Sequence, residues 1–245
     1  MKIALLGDVH ANLPALEAVL AHARGHAVDA YWNVGDFVGY GAFPDEVVTV
    51  LRELKAISIQ GNYNRKTLKV KKKRKKWQKE KTPEKWLAFE WAYTHLSKEN
   101  RQYLRDLPEQ VRLKREGHDI LLVHGSPVSQ DEHLTVETPV DHLARLAELA
   151  KAEIVICGHS HQPFTRYAGK TWFINTGSVG RPDDNDPRAA YAILELKPGS
   201  CETLHYRVEY DVEREASAIC AAGLPEDFAR MARLGRSLDA VQGKV

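Results

Sequence analysis

Cysteine is scarce in this chain, and its placement excludes two common kinds of small-protein framework. The 245 residues contain only three cysteines, Cys157, Cys201 and Cys220, which lie far apart and are odd in number. Neither a network of disulfides nor a thiolate zinc site is expected from such a pattern. Any metal ion that the protein binds must therefore be held by oxygen and nitrogen ligands.

Long apolar runs are also absent. The longest apolar stretches, such as residues 120–123 and 153–157, are the length of a β-strand and fall well below the ~20 residues that a membrane helix needs. The first six residues lead directly into Gly7 and Asp8, without the apolar core and small-residue cleavage site of a secretory signal. We therefore expect a cytoplasmic protein with no membrane partner.

The charge is nearly balanced overall but unevenly distributed. The formal net charge is +2, yet residues 65–81 hold eleven lysines and arginines against the single acidic residue Glu80, which is +10 for the segment and −8 for the remainder. Such a block indicates either a solvated helix face or mobile loop, or a surface that attracts a polyanion such as nucleic acid. Both interpretations stay open from the sequence.

The first part of the chain alternates strands with helices. Apolar runs predict strands at 3–6, 31–34 and 56–59, and helical periodicity predicts helices at 13–23 and 45–54. This alternation is typical of a layered α/β sheet, in which ligands collect beyond the carboxyl ends of the strands. Each predicted strand ends in a polar loop that contains glycine.

The second part is richer in strands, and 43% hydrophobic residues are enough for a substantial core. Two further helices, at 83–95 and 98–106, precede the change. The predicted strands then cover 110–114, 119–123, 154–157, 171–174, 190–196 and 202–210, followed by helices at 213–221 and 225–234. We predict a single domain over 1–245 of α/β (α+β) class, in which a second sheet packs on the first. A basic, helical insertion at about 65–106 and a helical tail at about 211–245 complete it.

Five polar loops carry side chains that suit divalent metal ions. Carboxylate oxygen and imidazole nitrogen together suit ions such as Mn²⁺, Fe²⁺ and Zn²⁺, and two ligands spaced i, i+2 can reach one ion from a turn. Each fragment alone is a weak signal, but unpaired buried ionisable groups are costly, so five such loops together indicate a metal site. The seven candidate ligands, a number that fits two ions sharing one carboxylate, are Asp8, His10, Asp36, Asn62, His124, His159 and His161.

The order and spacing of these loops resemble those of the calcineurin-like metallophosphoesterase family. The matching pattern runs through Asp8-x-His10, Gly35-Asp36, Gly61-Asn62, His124 and Gly158-His159-x-His161, and residues 175–182 are similar to the small prokaryotic phosphodiesterase branch. The resemblance implies a four-layer α-β-β-α sandwich with two packed mixed β-sheets.

The resemblance also implies how the ligands are shared between two divalent ions. Asp8, His10, Asp36 and His161 would hold the first ion, and Asp36, Asn62, His124 and His159 the second, so that Asp36 is the bridge. Manganese is the expected metal, with iron, zinc, nickel or magnesium as alternatives.

Two adjacent cations can generate hydroxide from water near neutral pH and neutralise phosphoryl oxygens, so in-line attack on phosphorus needs no nucleophilic side chain. By this pattern Asp36, Asn62, Tyr63 and Asn64 form the catalytic set. The candidate phosphate contacts are Asn12, Arg65 and Arg181.

The chain departs from the family pattern at Tyr63 and Asn64, where the family has a histidine and an acidic residue. Tyrosine has an unperturbed pKa near ~10, so it is a poorer general acid at neutral pH than histidine. Members of the small phosphodiesterase branch also lack this histidine. An amide at Asn64 in place of an acid would weaken metal affinity or turnover if that acid normally orients a ligand.

These features predict a metal-dependent phosphodiesterase that acts on nucleotide-type diesters and is slow on monoesters. A protein phosphatase or a dinucleoside-polyphosphate hydrolase is the alternative enzyme, because the same metal core serves both. A nucleic-acid-binding protein with a weakened metal site, using the basic segment 65–81, is the alternative outside enzymes.

Overall fold

The computed structural model describes residues 1–244, and these contain ten strands and ten helices. The strands are β1 (Lys2–Leu6), β2 (Ala30–Asn33), β3 (Ile57–Ser58), β4 (Val111–Arg115), β5 (His118–Leu122), β6 (Ile154–Cys157), β7 (Phe164–Ala168), β8 (Thr171–Asn175), β9 (Ala189–Lys197) and β10 (Ser200–Val208). The helices are α1 (Leu13–Gly25), α2 (Pro44–Glu53), α3 (Asn62–Leu68), α4 (Val70–Glu80), α5 (Pro83–His95), α6 (Lys98–Asp106), α7 (Val140–Ala150), α8 (Val212–Ala221), α9 (Glu226–Leu234) and α10 (Leu238–Val241).

The strands form two mixed five-stranded sheets. The first has the order β10-β9-β1-β2-β3, with β1, β2 and β3 parallel and β9 and β10 antiparallel to their neighbours. The second has the order β4-β5-β6-β8-β7, with a parallel centre of β5, β6 and β8 and an antiparallel strand at each edge. This is the predicted α/β sandwich.

Alternation along β1 shows how the layers are built. Ile3 and Leu5 belong to the core between the two sheets, whereas Ala4 and Leu6 belong to the core between the first sheet and α1. Successive side chains of a strand point to opposite faces, so a strand that is apolar at every position is one covered on both sides. Each fully buried leucine or isoleucine contributes roughly 1.5–3 kcal/mol through removal from water.

The outer face of the second sheet is covered by α7. Leu143 and Leu146 of this helix pack with Val155 and Phe173 of the sheet. Helix, sheet, sheet and helix thus follow one another in four layers, and the layered prediction is confirmed.

Several details differ from the sequence prediction. The strands β9 and β10 were expected in the second sheet, but they pair with β1 and extend the first, so that assignment is wrong. Neither α7 nor β7 was predicted. The basic segment, for which the sequence left a helix face and a mobile loop as open alternatives, is helical in α3 and α4.

The loops at the carboxyl ends of the strands also help to begin helices. Asn12 caps α1, because its side-chain oxygen accepts a hydrogen bond from the Ala15 amide at 3.1 Å.

No helix formed by residues 1–244 combines the length and the apolar character needed to cross a membrane.

Candidate metal centre

The seven candidate ligands lie at one edge of the sandwich, six of them on loops and Asn62 at the first position of α3. Parallel strands bring their carboxyl ends to the same edge, so ligands distant in sequence meet there. They follow β1 (Asp8 and His10), β2 (Asp36), β3 (Asn62), β5 (His124) and β6 (His159 and His161). Six of the seven are buried, and His159 is half-buried.

Three of these residues form a first cluster. Asp8 Oδ1 lies 3.4 Å from His161 Nε2 and 3.9 Å from His10 Nε2, and the two imidazole nitrogens are 3.2 Å apart. Ligand atoms bonded to one ion at about 2.1 Å are separated by roughly 3.0 Å in an octahedron and 3.4 Å in a tetrahedron. The side chains therefore have the spacing of ligands that share an ion.

A second cluster contains Asp36, His124 and His159, whose ligand atoms lie within 4.8 Å of one another. Asp36 Oδ2 is 3.3 Å from His124 Nε2 and also 4.0 Å from His10 Nε2 of the first cluster. This one carboxylate therefore stands between the two groups.

Buried atoms without partners show that the residues present fit divalent metal ions. Within residues 1–244, no hydrogen-bond partner is available to Asp8 Oδ1, Asn62 Oδ1, His124 Nε2 or His159 Nε2. An unpaired buried polar atom costs about 1–3 kcal/mol, so four in one pocket are unfavourable unless a cation compensates them. Their mixed oxygen and nitrogen chemistry suits Mn²⁺, Fe²⁺ or Zn²⁺.

Hydrogen bonds behind the ligands fix which atoms face the centre. His124 Nδ1 donates to the Val34 carbonyl at 2.8 Å, which leaves Nε2 directed inward. Asn62 Nδ2 donates to Asp131 at 2.7 Å, which directs the carbonyl oxygen of Asn62 inward. Such outer contacts orient metal ligands and tune their affinity.

The backbone of the ligand loops is strained. Five of the seven candidate ligands have a left-handed conformation: Asp8 (φ 53°), His10 (φ 49°), Asp36 (φ 51°), His159 (φ 66°) and His161 (φ 58°). Non-glycine residues seldom adopt this region, and it costs of order 1–3 kcal/mol each, so the surrounding structure must impose it. All five of these side chains belong to the two clusters.

Gly61 permits the loop before α3 to approach Asp36. A Cβ atom at this position would overlap the backbone nitrogen and the carboxylate of Asp36. The same carboxylate accepts a hydrogen bond from the Tyr63 amide at 2.7 Å. Close packing of these two loops therefore holds the carboxylate that stands between the clusters.

The charged side chains of the second cluster shift one another's pKa values. Burial lowers the pKa of His124, but the adjacent Asp36 carboxylate outweighs this and raises that pKa to about 9. Burial and the nearby positive charge of His124 lower the pKa of His159 to about 4. A metal ion must displace the proton of His124 on binding, so metal affinity will depend on pH.

Three side chains in contact with one another lie beside the first cluster, namely Tyr63, Tyr40 and Arg181. The Tyr63 and Tyr40 hydroxyls are 2.9 Å apart, and the Tyr63 ring meets His10 edge-on at 5.0 Å between centroids. The Arg181 guanidinium stacks on Tyr40 at 4.7 Å. Burial and the neighbouring Tyr40 raise the pKa of Tyr63 well above its usual value, so Tyr63 stays a neutral hydrogen-bonding group.

The other predicted site residues are tied to the scaffold. Asn12 donates to the Gly180 carbonyl at 2.9 Å and to the Tyr210 hydroxyl at 3.1 Å. The Asn64 side-chain oxygen accepts from the Phe37 amide at 3.0 Å, next to Asp36. Arg65 pairs with Asp131 at 2.9 Å. Phosphate contacts for Asn12, Arg65 and Arg181, and a catalytic role for Asn64, remain predictions.

Sequence reasoning missed two residues that support the site. Asp131 accepts hydrogen bonds from the side chains of Asn62, Arg65 and Lys66. Tyr40 contacts Tyr63 through its hydroxyl and Arg181 through its ring. Asp131 lies outside the five motif loops. Tyr40 lies in the same loop after β2 as Asp36, but nothing in the pattern marked an aromatic residue there as functional.

The family model for the calcineurin-like phosphoesterase superfamily domain matches residues 1–199, and the chain belongs to this family. Membership indicates a phosphoester hydrolase, and the family usually binds divalent metals. The uncharacterized protein MJ0912 of Methanocaldococcus jannaschii is 31% identical to this chain over an aligned length of 251, and the alignment covers 96% of this chain and 98% of the relative.

Two solved structures share the whole architecture. A metallophosphoesterase from Sphaerobacter thermophilus is 30% identical, with a TM-score of 0.79 over 96% of this chain and 100% of that chain. The hypothetical protein PH1004 from Pyrococcus horikoshii OT3 is 23% identical, with a TM-score of 0.87 over 96% of this chain and 98% of that chain. The second likeness concerns the fold alone.

Proposed function

We propose that the protein is a dinuclear-metal-dependent phosphodiesterase that acts on nucleotide-type diesters. The observation that carries the proposal is the position of Asp36, whose Oδ2 lies 3.3 Å from His124 and 4.0 Å from His10. A carboxylate placed between two sets of ligands is what a shared bridging ligand requires. Asp8, His10 and His161 would hold one ion with Asp36, and Asn62, His124 and His159 the other.

A bound pair of divalent ions would supply an activated water and neutralise the phosphoryl oxygens. The chain itself supplies orientation and charge. Arg181, whose guanidinium lies over the Tyr40 ring, would offer that guanidinium to a phosphoryl oxygen beside the first cluster. Tyr63 can donate a hydrogen bond to an ester oxygen, but its raised pKa makes complete proton transfer unfavourable.

The absence of a strong acid favours diesters over monoesters. A monoester reacts through a loose transition state that places much negative charge on the leaving oxygen, so it depends on a proton there more than a diester with the same leaving group does. The same proposal includes a reducing compartment such as the cytoplasm, because Cys157, Cys201 and Cys220 are free thiols.

Metal analysis of the purified protein followed by activity measurements tests the proposal. With Mn²⁺ added, we expect about two ions per chain and hydrolysis of bis-(p-nitrophenyl) phosphate and 2′,3′-cyclic nucleotides. Asp36→Ala and His124→Ala should lose metal and activity together. His133→Ala is the matched control, because this exposed histidine lies against the His159 ring at 4.2 Å but belongs to neither cluster.

A substrate panel separates the alternatives. Faster turnover of phosphopeptides or of dinucleoside polyphosphates than of simple diesters would replace the diester proposal. Full metal loading without turnover of any phosphoester would leave a binding protein with a metal site and would overturn the enzymatic proposal.

A further inference from the structure

The basic segment is joined directly to the candidate metal centre. Helix α3 begins with the candidate ligand Asn62, and α4 follows it after a single residue, Lys69. Helix α4 alone contains seven lysines and arginines against Glu80. Positive charge is therefore carried on a rigid element that starts at the site.

One face of α4 attaches it to the rest of the molecule. Val70 is buried with Trp86 and Phe89 of α5, and Trp77 packs on Phe89 at 5.9 Å between ring centroids. Because an α-helix turns by about 100° per residue, Val70 and Trp77 lie on the same side. The opposite side faces away from the protein.

That opposite side carries only lysines. Positions i, i+3, i+4 and i+7 of a helix share a face, and here all four are exposed. We call this group the lysine stripe, and it consists of Lys72, Lys75, Lys76 and Lys79. It extends for about 10 Å along the helix, at 1.5 Å per residue.

The stripe is not neutralised by the protein. Across residues 1–244, no carboxylate lies within 4.0 Å of Lys72, Lys75 or Lys79, and Lys76 meets only Glu80, at 3.6 Å. That pair is solvent-exposed, so its ion-pairing free energy is small. Like charges three and four residues apart on a helix repel one another, and an external polyanion would relieve this repulsion.

Positive charge continues from the stripe to the metal centre. Arg65 and Lys66 in α3 both bond Asp131, at 2.9 and 3.0 Å, and this carboxylate also holds the Asn62 amide. Two cations against one carboxylate leave a net positive charge beside the ligand. Exposed Lys69 lies between this pair and the stripe.

We propose that the lysine stripe binds a nucleic acid strand and leads its phosphodiesters to the metal centre. This deepens the proposed function, on which it rests, by naming a polynucleotide as the substrate class. The phosphates of one strand of a double helix are spaced by about 3.4 Å along its axis, which places about three of them over the stripe. An anionic membrane is a poorer fit, because a membrane-surface helix needs a free apolar face and the apolar side of α4 is already packed on α5.

Binding of a labelled, phosphorothioate-linked 20-nucleotide oligothymidylate tests the surface. Fluorescence anisotropy at several salt concentrations gives the affinity and its salt dependence. The test variant is Lys72→Gln/Lys75→Gln/Lys79→Gln. The matched control is Lys55→Gln/Lys114→Gln/Lys170→Gln, which removes three exposed lysines at the other end of the sandwich, before the strands that lead to the site.

We expect the test variant to bind at least tenfold more weakly at low salt, and the slope of log affinity against log salt to fall by about 2, which is 0.7 for each of three charges. The control should match wild type. Hydrolysis of unmodified oligothymidylate should fall in the test variant, while kcat/KM for bis-(p-nitrophenyl) phosphate stays within twofold, because the stripe lies outside the metal centre.

Equal binding by the two triple variants, absent binding by wild type, or binding only to anionic lipid vesicles would overturn the lysine stripe as a nucleic acid surface. Failure of the proposed function gives a different result. In that case the stripe-dependent binding persists, but wild type hydrolyses neither the oligonucleotide nor bis-(p-nitrophenyl) phosphate, and the polynucleotide is a ligand rather than a substrate.

Discussion

The Tyr63 hydroxyl lies 2.9 Å from the Tyr40 hydroxyl, and both rings stand beside the first ligand cluster. Tyr63 occupies the place where the family pattern described for the sequence predicts a histidine, and its backbone amide donates a hydrogen bond to Asp36. The two tyrosines thus place hydroxyl groups where the family pattern predicts an imidazole. This substitution leads to the first prediction.

Replacing Tyr63 with histidine should shift the enzyme toward monoesters. Histidine titrates near neutral pH and can give a proton to a basic leaving oxygen, a contribution of about 100- to 10,000-fold where it is fully effective. We expect Tyr63→His to raise the monoester-to-diester ratio of kcat/KM at least tenfold. Rates should be measured at matched metal loading.

Tyr63→Phe is the control, because it keeps the ring against Phe89 and removes only the hydroxyl. The ratio should stay near that of wild type in this variant. An unchanged ratio in Tyr63→His would show that the leaving-group argument is wrong.

Removal of Asp131 should weaken metal binding without removing a ligand. Asp131 orients Asn62 through a hydrogen bond of 2.7 Å, and losing such an outer partner typically costs 10- to 100-fold in metal affinity. We expect Asp131→Ala to lower the affinity for one of two Mn²⁺ ions by about that factor in a calorimetric titration. Asp119→Ala, which affects only an exposed pair with Lys114, should bind both ions normally. Equal Mn²⁺ affinities for Asp131→Ala and wild type would exclude an orienting role for Asp131.

Glu215 should make stability fall with rising pH. The side chain is 1% exposed and accepts a hydrogen bond from the Ala42 amide at 3.0 Å, and burial raises its pKa to about 8 against an ordinary value of 4.5. Between these two pKa values, Glu215 is protonated in the folded state and ionised in the unfolded state. The free energy of unfolding therefore decreases as pH rises through this window, by up to roughly 1.4 kcal/mol per pH unit.

Glu215→Gln removes this titration. We expect the variant to gain stability relative to wild type by a few kcal/mol between pH 5 and pH 8, as measured by urea unfolding at several pH values. Glu213→Gln, on the exposed side of the same helix, is the comparison and should show no such gain. Parallel stability curves for wild type and Glu215→Gln would contradict a proton on Glu215.

Gly61→Ala should disturb both stability and metal binding. The new methyl group would overlap Asp36, and overpacking of this kind costs about 1–3 kcal/mol. We expect a loss of that size in urea unfolding, together with reduced Mn²⁺ content. Gly25→Ala adds a methyl group that meets nothing within 4 Å and should change the free energy of unfolding by less than about 0.5 kcal/mol. Equal effects of the two substitutions would refute the close-approach argument.

The sequence predicted the layered fold because its strands are apolar at every position and end in polar loops. Ile3 to Leu6 show this pattern, and the structure buries them on both faces of the first sheet. Strand order was not predictable in the same way. Apolar periodicity says that β9 is covered on both faces but not that its partner is β1, more than 180 residues earlier.

The candidate metal centre was predictable to the extent that its candidate ligands lie in motif loops. The structure brings Asp8, His10 and His161 together as expected, along with Asp36, His124 and His159. Asp131 and Glu215 could not be predicted, since each acts through hydrogen bonds formed only in the folded chain, and single acidic residues are common on protein surfaces.

The left-handed ligand residues come from both sheets, since Asp8 follows β1 and His161 follows β6. A divalent ion bound between these two side chains would be a cross-link whose ends belong to different layers of the sandwich. Binding of this ion would therefore require that both sheets are folded and packed together, and not only that a single ligand loop has formed. A chelator would then lower the unfolding temperature of both layers at once, because ligand that binds only the native state shifts the whole folding equilibrium.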